Sequence, residues 1–133
     1  MLIDCVPLNM GVVETSDAAA VRPQVADLAV RALAGLLPAD AERVLGDVQL
    51  VASELVANTV HHAGGLLHFR ASALGDRLRM EVTDASPHHP RTSALDPGTP
   101  GGFGWRLVHR LCTGVRVDSG LHGKTIVVDM HLA

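Results

Sequence analysis

Glu54-Leu-Val-Ala-Asn58-Thr-Val-His-His62-Ala63 closes a run, Ala41 to Ala63, in which Val44, Val48, Val51 and Leu55 recur at three- and four-residue steps. That spacing is the helical period and predicts an amphipathic helix with one apolar stripe. Glu54 and Asn58 are four apart, so they project from one face about a turn from each other. Asp47 lies earlier on that face, and His61 or His62 later. A carboxylate stacked over a carboxamide offers oxygen ligands and a base together, which suits a magnesium–phosphate ligand. The same pair also occurs on ordinary solvated helix faces, so its meaning depends on the rest of the chain.

Upstream, Thr15-Ser16-Asp17 is a capping cluster that predicts a helix beginning near Ala18. Val25, Leu28, Ala29, Ala32, Leu33 and Leu36 supply its apolar stripe, Pro23 is expected in its first turn, and Pro38 is expected to close it. Asp40 then caps the helix that carries Glu54. Before this pair, the apolar pieces between Met1 and Glu14, punctuated by Pro7 and Gly11, predict one or two strands at a sheet edge.

Downstream, Gly64-Gly65 ends the second helix and the period changes to two. Leu67, Phe69, Ala71 and Ala73 alternate with polar residues; after Gly75-Asp76 so do Leu78, Met80 and Val82. This is a hairpin with one wet and one buried face. Residues 85–102 then lose all periodicity and hold Pro87, Pro90, Pro97 and Pro100, the pattern of a long functional loop. A short helix from Gly102 to Thr113, with Leu107, Val108 and Leu111 inward, leads to a second hairpin across Gly120 to Gly123. The order predicts a single α+β domain over residues 1–133, a two-layer sandwich with a mixed, mostly antiparallel sheet and helices on one face.

Composition narrows the functional classes. With 133 residues, 47% hydrophobic and 19% charged, the chain can bury a real core. No apolar run approaches the length of a membrane span, and the first residues lack the basic and apolar regions of a secretory signal, so a cytoplasmic protein is expected. A net charge of -3 and only Phe69, Phe103 and Trp105 as aromatics leave no footprint for nucleic acid. Cys5 and Cys112 are too few for a disulfide framework and read as small apolar residues. Lys124 is the only lysine beside ten arginines, a composition typical of GC-rich bacterial genomes. His61-His62 and His88-His89 are poor chelates as adjacent pairs, since successive helical side chains point about 100° apart.

Three further features join Glu54 and Asn58. Asp84 ends the strand Leu78–Thr83, Gly101-Gly-Phe-Gly104 opens a helix, and Gly123-Lys-Thr125 leads into the last strand. Glycines at a helix start let backbone N–H groups approach an anion. Gly123-Lys-Thr125 is no P-loop, because it lies in a hairpin and lacks the earlier glycine. Together and in this order, the segments resemble the GHKL, or Bergerat-fold, ATP-binding domain, and most closely the small bacterial anti-sigma-factor serine kinases. Glu54–Ala63 looks like that family's N box, Val82-Thr-Asp84-Ala-Ser-Pro87 like its first glycine box, Gly102-Phe-Gly104-Trp-Arg-Leu-Val108 like its second, and Gly123-Lys-Thr125 like its last.

The resemblance implies ATP and Mg²⁺ as cofactors. It makes Asn58 the ligand of Mg²⁺ bridging the phosphates, Glu54 the catalytic base, and Asp84 the acceptor for the adenine amino group, with Thr125 supporting the same base edge. Gly102 and Gly104 would cradle phosphate, His62 and Lys124 would add charge near it, and residues 86–101 would form an ATP lid. It further implies partner switching between a sigma factor and an anti-sigma-factor antagonist protein, and a homodimer. One departure is that the usual Asp-x-Gly is here Asp84-Ala85-Ser86, without the glycine's backbone freedom.

Overall fold

The computed structural model describes residues 11–62, 65–86 and 102–132. Its elements run β1 (Gly11–Thr15), α1 (Ala18–Ala32), α2 (Pro38–His62), β2 (Leu66–Leu74), β3 (Arg77–Asp84), α3 (Gly102–Leu111), β4 (Gly114–Gly120) and β5 (Gly123–His131). The strands form one sheet in the order β1-β2-β3-β5-β4, and every described pairing is antiparallel. The expected two-layer α+β architecture is therefore present, in its fully antiparallel form. The strand expected within Met1–Glu14 appears as β1 on the sheet edge; residues 1–10 lie outside the described residues.

The helices begin and end for local reasons. Asp17 caps α1, its side chain accepting from the Ala19 backbone N–H at 3.0 Å. Pro23 falls inside α1, in its second turn rather than its first. It removes the N–H that would bond the Ala19 carbonyl, and both residues are exposed, so the break falls on the solvent-facing side of the helix. α1 stops at Leu33, whose N–H still bonds the Ala29 carbonyl at 2.9 Å. Pro38, expected to close α1, instead opens α2 at the first helical position, where a missing N–H is no loss. Asp40 consequently lies in the first turn of α2, not at its cap, where its charge still complements the helix dipole.

The apolar stripes meet in one core. Val21, Val25, Leu28 and Ala29 of α1 and Val44, Val48, Val51, Ala52 and Leu55 of α2 are buried against Phe69, Ala71, Leu78, Met80, Val82, Ile126 and Val128 of the sheet. Leu67 was expected to share the Phe69 face, yet it is 52% exposed. A register irregularity between Leu66 and His68 breaks the alternation there. The tight turn between β2 and β3 places Gly75 at φ +65°, a conformation suited to glycine at the first position of a two-residue hairpin.

The other sheet face is wet and charged. Arg70 bridges Glu14 and Glu81, at 3.8 and 3.6 Å, and Arg79 makes two hydrogen bonds to Asp129, at 2.8 and 3.2 Å. The Asp129 carboxylate holds the Arg79 guanidinium above its ordinary pKa. No described helix is long and apolar enough to cross a membrane.

Two consequences can be measured. Leu55 is fully buried between α2 and the sheet, so Leu55→Ala should lower unfolding free energy by about 2–5 kcal/mol in urea titration. Burial pushes the Cys112 thiol up to about 12, with Asp129 adding to the shift. In the unfolded chain the thiol ionises near its ordinary value of 9.0. Above that pH the unfolded chain has lost a proton the folded one keeps, so this group makes stability fall as pH rises from about 9 towards 12. Peptide mapping after iodoacetamide at pH 8 should accordingly find Cys112 unmodified until denaturant is added.

Candidate nucleotide site

The site is assembled where three apolar periodicities end in polar residues. Along α2, Val48, Val51 and Leu55 are fully buried, and the next inward positions are Asn58 and Thr59, also buried. The Thr59 hydroxyl donates to the Val56 carbonyl at 2.7 Å, but the Asn58 side-chain nitrogen has no hydrogen-bond partner among the described residues. Along β3 the inward residues are Leu78, Met80, Val82 and then Asp84, whose side chain is completely buried. On β5 the inward row Met130, Val128, Ile126 runs back to Lys124. The register sets Leu66, Asp84 and Lys124 in one row across β2, β3 and β5. The end of α2 is tied to the same end of the sheet, since Gly65 N–H bonds the Thr59 carbonyl at 2.8 Å.

Asp84 is held from two sides. The Lys124 ammonium lies 3.0 Å from Oδ1 in hydrogen-bonding geometry, and 2.9 Å from Oδ2 but off that oxygen's bonding direction. Ser86 N–H also donates to Oδ1, at 2.9 Å. Oδ1 thus takes two hydrogen bonds, while Oδ2 meets the ammonium as an ion pair. The Ser86 contact uses only a backbone N–H, and no described non-glycine residue has positive φ. The Asp84-Ala85-Ser86 turn therefore keeps its shape without the glycine usual at its third position. Gly123, at φ +154°, is the glycine this corner does require, because a Cβ there would collide with the Asp84 carbonyl.

Glu54 is half-buried and reaches α3. Gly104 stands in the first turn of that helix, and a Cβ on it would lie 2.6 Å from the Glu54 carboxyl carbon. The carboxylate therefore sits against the positive end of a helix, in the space an amino-acid side chain would need. Trp105, the next residue, is buried in the core and meets His109 edge to face at 5.0 Å.

Among the residues expected in the site, Glu54, Asn58, Asp84, Gly104 and Lys124 are buried or half-buried in the helix–sheet layer. Gly102 opens α3. The His62 side chain and lid residues 87–101 lie outside the described residues. Thr125 does not join Asp84: its hydroxyl pairs with that of Thr83 at 2.9 Å, and strand alternation turns both to the opposite sheet face. Lys124 takes the place expected of Thr125 and binds the acid rather than standing free for phosphate. The signal was available, since stepping by two from Ile126 reaches Lys124 and not Thr125.

The model of the histidine kinase-like ATPase domain matches residues 14–130. The chain belongs to that family. Membership implies ATP binding. The fold is shared with the histidine kinase domain of a blue-light activated histidine kinase from Erythrobacter litoralis EL346, at TM-score 0.52 and 19% identity over 84% of this chain. This chain spans 61% of that one. It is shared also with the Acinetobacter baumannii histidine kinase AdeS, at TM-score 0.50 and 12% identity, covering 98% of this chain and 72% of that one. No curated protein sequence matches.

The Glu54–Gly104 contact is open to a double-mutant cycle. Gly104→Ala alone should be destabilising, by about 1–3 kcal/mol for a forced steric displacement. In a Glu54→Ala background most of that loss should vanish, because the side chain in the way is gone. Equal losses in both backgrounds, read from thermal unfolding, would show that the two residues do not meet.

Proposed function

We propose that this domain is an ATP- and Mg²⁺-binding serine protein kinase of the anti-sigma-factor type, acting in the cytoplasm and regulating transcription by partner switching. The observation that carries the nucleotide part is the buried Asn58 Nδ2, which has no hydrogen-bond partner among the described residues, at the end of the helix–sheet layer where Asp84 and Lys124 are also buried. Buried polar atoms are nearly always satisfied, so an orphan carboxamide there points to a ligand that completes it.

The residues present fit that ligand. The Asn58 carboxamide oxygen suits a hard cation bridging phosphates. The Asp84 carboxylate is the acceptor assigned to the adenine amino group, and the first turn of α3 offers backbone N–H groups to an anion. When bound, Mg·ATP supplies the phosphoryl group and the charge neutralisation for its transfer. Glu54, one turn from Asn58, is the carboxylate that takes the proton of the accepting serine hydroxyl. A sigma factor and an anti-sigma-factor antagonist as partners, and dimerisation, rest on the likeness of Glu54–Ala63 and the downstream boxes to the small anti-sigma-factor kinases.

The second reading is a non-catalytic ATP-binding regulator, in which nucleotide sets the lid conformation and so the binding of a partner. The seat of Glu54 against Gly104 favours it, because a carboxylate held by the α3 start is not free to meet a hydroxyl.

Mg·ATP at a hundred times Kd should stabilise the protein by about 2.7 kcal/mol in a thermal-shift series. Asn58→Ala should abolish that gain. With labelled ATP and a candidate antagonist, Glu54→Ala should cut label transfer by about 10²-fold or more while leaving nucleotide affinity nearly intact. Transfer that survives both substitutions would remove the assigned roles; binding with no transfer in the unaltered protein would establish the regulator instead.

A further inference from the structure

We propose a second ligand site on the outer face of the sheet: a groove that binds a carboxylate carried on an apolar chain, with Arg77 as its principal contact. It stands independently of the ATP reading. The groove has a volume of about 480 Å³ and lies at the end of the sheet where β2 turns into β3, bounded by Leu74, Arg77, Arg79, Gly114, Asp129 and His131. That volume is within the range of small-ligand sites. Arg77 and Arg79 are two residues apart on β3, so their side chains leave the same face about 7 Å from each other. Asp84 is five residues beyond Arg79, about 17 Å along the strand, and buried on the opposite face.

The charges of the groove do not balance. Arg79 is held by Asp129 through two hydrogen bonds, at 2.8 and 3.2 Å, and the His131 ring meets Asp76 at 2.9 Å. Arg77 is the register partner of His131, yet its guanidinium makes no ion pair or hydrogen bond with any described residue. On a chain of net charge -3 the groove therefore carries an excess positive charge. A planar guanidinium matches a carboxylate through two parallel hydrogen bonds. Leu74, 58% exposed at the rim, and Met130 offer apolar surface to the chain that bears it. Asp129 forms one wall and repels a second negative charge nearby, which selects a carboxylate over a phosphate dianion. Gly114 stands opposite Asp129 and contributes no side chain, which keeps the groove open; a Cβ there would meet only Asp129, at 3.6 Å.

Amide NMR titration at constant ionic strength tests the site, with acetyl-glutamyl-leucinamide, its glutamine counterpart, glutarate and inorganic phosphate as probes. The glutamyl peptide or glutarate should give saturable shifts confined to amides around Ser72, Arg77 and Gly114, and the glutamine counterpart none. Tighter binding of the peptide assigns the carboxylate to a protein segment; glutarate binding as tight or tighter assigns it to a free acid. Phosphate binding as tightly as either overturns the carboxylate class. Arg77→Ala, a change at an exposed position, should weaken binding by about tenfold or more through loss of a charged hydrogen bond. Arg77→Lys, which keeps the charge without the fork, should recover only part of that loss. Gly114→Leu fills the groove without touching a cation and should abolish binding, with circular dichroism checking the fold; should it not fold, Arg77→Ala decides alone. Shifts that fail to saturate, or that survive Arg77→Ala or a folded Gly114→Leu, overturn the proposal. Stabilisation by Mg·ATP should be the same in these variants as in the unaltered protein, so failure of this site and failure of the nucleotide reading are separate results.

Discussion

Burying one face of α2 on the sheet is the constraint on which the rest of the molecule depends. The stripe Val44, Val48, Val51, Leu55 must face the sheet for the helix to be stable, since helices within proteins owe most of their stability to tertiary packing. Helical phase then leaves no choice about the next inward position. It is Asn58, and the carboxamide enters the dry layer because its neighbours one turn earlier have to. The same logic operates in β3, where Leu78, Met80 and Val82 carry Asp84 inward, and in β5, where Ile126 and Val128 carry Lys124. Polar chemistry is placed by apolar periodicity. Each element breaks its own pattern at one end, and antiparallel registry brings those ends together.

This is also why so much of the fold could be read before any coordinates. The change of period from 3.6 to 2 after Gly64-Gly65, the glycine in the first hairpin turn and the Glu54/Asn58 spacing are local signals, and local geometry fixes their outcome. The misreadings came where the outcome is set by partners distant in sequence. Pro38 is equally good as the stop of one helix or the first residue of the next, and the end of α1 at Leu33 decides which. Leu67 obeys the alternation of its strand but loses its place in the core to the irregularity opposite Thr83–Asp84. Thr125 belongs to a motif by position in the chain, yet the pairing of Thr83 with Thr125 and of Asp84 with Lys124 puts it on the other face. A motif identifies residues; parity along the strand decides which of them share a cavity.

A buried ion pair such as Asp84–Lys124 is weak evidence for stability, because desolvation of both charges offsets much of their attraction. Its value lies in definition. The outer sheet face contains ion pairs of a different kind, such as Arg116–Asp118 with both side chains more than half exposed, and these contribute at most about 1 kcal/mol each. They keep the uncovered face wetted. Two surfaces of one sheet thus use charge for opposite ends: on the wet side to remain in water, on the dry side to hold the Asp84 carboxylate in a fixed orientation.

The seat of Glu54 ties the candidate base to the start of α3. Its carboxylate rests against the first turn of α3, where the helix presents partial positive charge and where Gly104 alone leaves it room. An anion such as a phosphate seeks the same place for the same reason. On the nucleotide reading, the two compete: a phosphate that takes the helix start displaces the carboxylate, and a displaced carboxylate is free to act as a base. Binding of nucleotide and release of the base would then be one event, joined by Gly104, at which any side chain would close the space both require.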